Sequence, residues 1–144
     1  MNVTVEVLKE VTGEVVEAFG RLLPQLSATA PPLDAATLSD IVSAPASTVL
    51  LARIDGQIIG SLTLAMFPIP TGLRAWIEDV VVDDAARGQG AGKALTLEAL
   101  RLAQAAGART VDLTTRPSRE AAGRLYERVG FEQRESRLYR YKLS

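Results

Sequence analysis

Val3, Val5 and Val7 alternate with polar residues, which predicts a first strand over roughly Asn2 to Leu8. From Thr12 the apolar period becomes helical. Val15, Phe19, Leu22 and Leu26 recur at helical spacing, with Val16 and Leu23 beside them and Pro24 near the expected end. Ser27 to Pro32 is small and proline-rich, hence a loop, and a second short helix is expected from Leu33 or Asp34 to Val42. Thr48–Ile54 and Ile58–Phe67 read as strands joined at Asp55-Gly56, a pair that tolerates positive φ and so signals a short hairpin. Strict alternation in the second of these strands would put Ile58, Leu62, Leu64 and Met66 on one face. Pro68 to Gly72 then turns the chain back into Leu73–Val82, where Trp76 shares a face with Glu78 and Val80.

The β-branched run Ile77–Val82 suits a buried strand. It delivers the chain through two acids and two alanines to Arg87-Gly88-Gln89-Gly90-Ala91-Gly92-Lys93. Ala94 to Leu100 follows as a strong helix-forming run. That helix has little polar surface, with Ala91, Ala94, Leu95, Leu97, Ala99, Leu102 and Ala103, and is expected to lie flat on the sheet until Gly107 ends it. Thr110–Thr114 predicts a strand parallel to the previous one through a crossover helix. Ser118 is placed to cap a last helix whose stripe is Ala122, Leu125, Tyr126 and Val129, stopped by Gly130. Phe131 and the alternating Ser136–Leu143 run, through Tyr139, Tyr141 and Leu143, are expected to close the sheet. Neither repeat nor linker interrupts the chain, so one domain over residues 1–144 is expected.

Composition narrows the chemistry. The 144 residues, 47% hydrophobic, suffice for one real core. Sixteen basic and 17 acidic residues give no bulk field to recruit nucleic acid or a membrane. The absence of cysteine excludes a disulfide framework, a thiolate metal site and a cysteine nucleophile. With no histidine either, proton transfer falls to carboxylates, tyrosine, lysine, backbone or water. The start of the chain lacks the basic and apolar regions of a signal peptide, and a cytoplasmic location is expected.

Strand, glycine-rich turn and helix start together make an anion site. The first helical amides have no intrahelical acceptors, the macrodipole is positive there, and glycines admit a phosphate close to the backbone. Three phosphate templates compete. A P-loop needs glycine where Arg87 stands and Ser or Thr where Ala94 stands. The dinucleotide fingerprint begun at Gly88 needs its third glycine at Lys93, and belongs in a first βα unit rather than past mid-chain. Arg87-Gly88-Gln89-Gly90-Ala91-Gly92 instead fits the Arg/Gln-x-x-Gly-x-Gly/Ala turn of the GNAT N-acetyltransferases at every constrained position. A second signature, Leu125-Tyr126 followed by Gly130-Phe131, resembles the same family, as does the order of elements along the whole chain. Ile77 to Val82 also resembles the corresponding strand of glucosamine-phosphate acetyltransferases.

The resemblance implies an α+β (three-layer α/β) fold, a mixed and mostly antiparallel sheet flanked by helices and splayed between its fourth and fifth strands. It implies acetyl-CoA as co-substrate, an amine as acceptor, and no metal. The pantetheine arm would lie along Val80, Val81 and Val82, and the pyrophosphate on the amides from Gly88 through Gln89, Gly90, Ala91 and Gly92 to Lys93, with Arg87 adding charge. Glu78 is the first candidate for accepting the amine proton, Asp79 on the opposite face the second, and Tyr126 the candidate donor to the departing thiolate. Where members often carry Asn, seven residues before the tyrosine, this chain has Arg119, and Ser118 is the residue that would replace that contact. The acceptor, a small amine or a protein amine, is not encoded in a motif. Two alternatives stand beside catalysis by acetyl transfer, a non-catalytic acyl-CoA-binding module and a nicotinamide-dependent oxidoreductase. Dimerisation through a sheet edge or the C-terminal strand is common in the family, so a homodimer is one expectation.

Overall fold

The computed structural model describes residues 2–144, which form two compact units, one ending at Leu113 and one spanning Thr114–Ser144. In the first unit the alternating valines form β1 (Val3–Val7). Helix α1 (Gly13–Leu26) starts where the Thr12 hydroxyl accepts the Val15 amide at 3.3 Å, satisfying one of the donors every helix start leaves open. Helix α2 (Ala35–Ser43) starts at Asp34, whose carboxylate accepts the Thr37 amide at 2.8 Å. Then β2 (Ser47–Ile54), β3 (Gln57–Ile69) and β4 (Gly72–Val82) form a meander. Asp55 at φ 51° and Gly56 at φ 80° make the hairpin turn that their residue types predict. The next turn is tighter than expected. Pro68 and Ile69 pair with Leu73 and Gly72, which leaves only Pro70-Thr71 as the connection.

After β4 come a single 3-10 turn (Asp84–Ala86) and helix α3 (Ala91–Ala105). Gly107, at φ 86°, follows its last turn. The short β5 (Thr110–Asp112) pairs parallel to β4 and completes the sheet order β1-β2-β3-β4-β5.

The register assigns the two faces of this sheet. Leu50, Ala52, Gly60, Leu62, Leu64, Ala75 and Ile77 share one face. There α3 packs so closely that a Cβ on Gly60 would stand 3.4 Å from the Leu95 side chain. On the other face Val49, Leu51, Ile58 and Val81 join Val15, Ala18, Phe19, Leu22 of α1 and Leu38 of α2 in one buried cluster. Helices, sheet and helix make three layers.

Strict alternation fails at two β-bulges. The β2–β3 register slips between Ala52 and Arg53, so Ile58 pairs with Arg53 and joins the α1–α2 face instead of lining up with Leu62 and Leu64. The β3–β4 register slips between Ser61 and Thr63, leaving Asp79 and Val80 opposite the single residue Leu62. Asp79 occupies the left-handed region at φ 50°, which Asp tolerates better than most side chains. One inserted residue inverts the pleat. Val81 therefore continues the Trp76–Glu78 face, and Val80 does not.

In the second unit α4 (Glu120–Val129) carries the expected stripe, with Tyr126 buried and its ring 5.7 Å edge-on from Phe131. Ser118 is not its cap. The helix starts a residue later at Arg119, with no side-chain cap, because the Arg119 amide is drawn into a turn on the Arg116 carbonyl at 2.9 Å. Gly130 at φ 122° ends the helix, donating to the Tyr126 and Glu127 carbonyls. The Ser136–Leu143 alternation does not become a strand. Residues 131–144 hold no regular secondary structure, and Leu138, Tyr139, Tyr141 and Leu143 are exposed. Alternation suits a strand but does not form one without a ladder partner.

Candidate active site

The β4–β5 pairing stops at Trp76↔Asp112. Beyond it, Ile77, Glu78, Val81 and Val82 keep their partners in β3, with Asp79 and Val80 in the bulge, and none of the six pairs on the β5 side among the described residues. That is the splay. A segment with free backbone donors and acceptors on one edge can be extended by another extended chain.

The same strand leads into the glycine turn. Gly88 and Gly90 hold φ 81° and 87°, values that glycine alone adopts without strain. Gly90 is the N-cap of α3 and has no side chain with which to satisfy the first turn. The first intrahelical bond is donated by Ala94 to the Gly90 carbonyl at 3.0 Å, so the amides of Ala91, Gly92 and Lys93 have no acceptor within the helix. A Cβ built on Gly88 or Gly90 would meet no atom within 4 Å. Nothing crowds the turn at these two positions. Gln89 Oε1 is buried without a hydrogen-bond donor. Arg87 is exposed and pairs with Asp84 at 2.8 Å. Deeper in the helix, Thr96 is fully buried and donates to the Gly92 carbonyl at 2.7 Å, whereas the apolar Leu97 faces outward.

A clamp that the sequence did not single out fixes this turn to α1. Arg21 bonds Asp83 Oδ2 at 3.2 Å through Nε and the Ile58 carbonyl at 2.6 Å through Nη2. Gln25 accepts the Asp84 amide at 2.8 Å. The Ala85 amide lowers the Asp83 carboxyl below its ordinary value, and Arg21 and Gln25 lower it further against the opposing effect of burial. Hydrophilic residues on an amphipathic helix read as a solvated face, so no sequence signal marks Arg21 or Gln25.

Glu78 and Asp79 are both exposed, one on the α1–α2 face of β4 and one in the bulge. Val80 and Val82 are half-buried and Val81 is buried. Tyr126 and the exposed Ser118 belong to the second unit. Burial pushes the Tyr126 phenol up, and the charge of Arg119 opposes that shift.

An open strand edge running into unpaired helix amides is a geometry for an elongated ligand with a phosphate part. Comparison with known proteins decides whose geometry it is. Residues 14–131 match the Acetyltransferase (GNAT) family, a span that includes the splayed strand, the glycine turn and the Tyr126 helix. The chain belongs to the GNAT acetyltransferase family. It is 34% identical to a glucosamine 6-phosphate N-acetyltransferase of Trypanosoma brucei brucei, over 76% of this chain and 78% of that protein. A transcriptional regulator from Bacillus halodurans C-125 superposes with a TM-score of 0.80 at 27% identity, covering 98% of this chain and all of that one. The fold is shared as well with AAC(6')-Iy, solved with a bisubstrate analogue joining CoA to monomethyl-acetylneamine. That match has a TM-score of 0.79 at 21% identity and covers both chains completely. As a GNAT enzyme this chain is an acyltransferase with acetyl-CoA as co-substrate. No helix among the described residues is long and apolar enough to cross a membrane.

Proposed function

We propose that this GNAT enzyme transfers the acetyl group of acetyl-CoA to a primary amine of a small molecule, by direct attack in a ternary complex. The observation that carries the reading is the continuity of the unpaired Ile77–Val82 edge with the free amides of Ala91–Lys93. Along that path Val80 to Val82 offer backbone partners to the amide groups of pantetheine. The turn from Gly88 to Lys93 holds the pyrophosphate, with Lys93 and Arg87 adding charge once Arg87 leaves Asp84. Gln89 Oε1 is an acceptor left for a ligand or water donor.

Glu78 accepts the proton as the amine attacks the thioester carbonyl, directly or through water. Asp79 is the competing candidate, since the bulge turns it differently. Tyr126 donates to the departing thiolate; a phenol with an ordinary value of 10.0, raised further by burial, carries its proton at neutral pH. Ser118 stands in for the missing Asn contact. The two units work as one acetyltransferase domain. The similarity to a sugar-phosphate N-acetyltransferase supports a small-molecule acceptor over a protein amine.

Release of free thiol from acetyl-CoA, measured across a panel of small amines and amine-bearing peptides, tests the proposal. Thiol release that depends on a small amine supports it. Thiol release with amine-bearing peptides alone would overturn it.

A further inference from the structure

Where the rest of the acceptor lies follows from which parts of the sheet are covered, given the reading that its amine meets Glu78. One face of β4 packs on α3, and on the other α1 crosses above Val81 and Asp83. The register places Arg74, Trp76 and Glu78 on that second face, with Asp112 beside Trp76 and Thr110 beside Arg74. None of these side chains belongs to the buried α1–α2 cluster. An acceptor anchored at Glu78 can therefore extend down this strip, away from α1.

The strip is electrically polarised. Its upper end carries the carboxylate of Glu78. At its lower end Arg74 and Arg109 both line a cavity of about 190 Å³. Arg74 bonds Asp112 Oδ2 at 3.0 Å through Nη2, and its guanidinium lies over the Trp76 ring, 5.4 Å from the centroid. Its Nε–H is buried with no acceptor. Arg109 donates to the Thr71 carbonyl at 2.9 Å and has no carboxylate partner among the described residues. Of the two guanidinium groups that line this cavity, one is paired with a carboxylate and the other bonds only a backbone carbonyl. Guanidinium donors in this number suit a carboxylate or phosphate group, whose several oxygens can accept from both arginines.

We infer that the strip from Glu78 to the Arg74–Arg109 cavity selects acceptors that carry an oxyanion, phosphate or carboxylate, at the end remote from the amine. Glu78 lies four residue steps along the strand from Arg74, about 13 Å, and the lean of Arg74 over Trp76 shortens the gap between charges. Small bifunctional molecules fit such a span. In this role Arg74 and Arg109 are specificity residues, and Asp112 orients Arg74.

The test uses matched pairs of amines. Glucosamine 6-phosphate against glucosamine probes the phosphate, and 6-aminohexanoate against hexylamine probes the carboxylate. Binding is measured by calorimetry in the presence of CoA, so it needs no turnover, and the ratio of kcat/KM within each pair is measured beside it. The expected result is a preference of about 10–100-fold for the anionic member of at least one pair, collapsing toward one in Arg74→Gln and in Arg109→Gln. Should Arg74→Gln misfold, Arg109→Gln carries the test alone. Equal binding of both members of each pair, or a preference that survives Arg109→Gln, overturns the inference and leaves Arg74–Asp112 as a cross-strand ion pair. Acetyl transfer to neutral amines with no preference for anions would overturn it while sparing the proposed activity. Selective anion binding without thiol release would do the reverse.

Discussion

Burial holds the Tyr126 phenol above its ordinary value of 10.0, with Arg119 opposing the shift. The folded value is the higher one, so this contribution to stability is complete below pH 10 and lost as pH rises through the folded value. Tyr126→Phe keeps the ring and its edge contact with Phe131, and the fold should survive. Turnover should drop by about 10²-fold, the low end of general-acid effects, because a thiolate leaves more readily than an amine. Acetyl-CoA affinity should change far less, and full activity on the true acceptor would return Tyr126 to a packing role. Glu78→Gln should slow turnover most at low pH, where free amine is scarce, and leave CoA binding nearly intact. If Asp79→Asn behaves that way instead, the bulge residue is the base. The candidate residues were legible because the motifs containing them are local. Arg21, Gln25, Arg74 and Arg109 were not, because an arginine on a helix or at a strand end has no spacing to distinguish it from a solvated one.

At the scale of elements, the glycine turn and the clamp behind it make separable predictions. Gly90 holds φ 87°, so any side chain there mixes backbone strain with obstruction. Gly92 lies inside α3 with no positive φ. Gly92→Val therefore adds bulk beside the free amides without left-handed strain, and calorimetry should show CoA affinity reduced at least 10-fold in a folded protein. Unchanged affinity would mean that the phosphate binds elsewhere. Arg21→Ala removes the bonds to Asp83 and the Ile58 carbonyl. About a third of the Arg21 side chain is exposed, so the expected cost is modest, about 1–2 kcal/mol, read from the denaturation midpoint. Arg21→Lys should not restore it, since one ammonium cannot span both partners. The folded pKa of Asp83 is lowered, so its contribution is present above its ordinary 3.8 and lost as pH falls through the folded value. The acid limb of the stability profile should flatten in Asp83→Asn.

For the whole molecule, the exposed run containing Leu138, Tyr139, Tyr141 and Leu143 is an unpaired strand sequence. Such segments seek a ladder partner, and a homodimer would supply one. Light scattering should report a dimer that dissociates when Tyr141 and Leu143 are both replaced by lysine. A wild-type monomer at micromolar concentration would refute this.

The order of elements through α4, the helix starts at Thr12 and near Asp34, the Asp55-Gly56 hairpin and the glycine turn before α3 were all written in the sequence. Each depends on neighbours within a few residues, through hydrogen bonds, φ preference or a single period. The capping of α4 shows the limit even locally, because a turn at Arg116 displaced Ser118 from its expected place. Which face each strand residue occupies was not legible, since a bulge inserts one residue and inverts the pleat without changing composition. Ile58 and Val81 crossed to the α1–α2 side for that reason. The fate of the C-terminal alternation was equally closed, because a strand exists only when another edge meets it. Tertiary structure alone decided that β5 stops at Asp112, and with it the open edge of β4. Pairing between strands far apart in sequence depends on where the intervening helix sets them down.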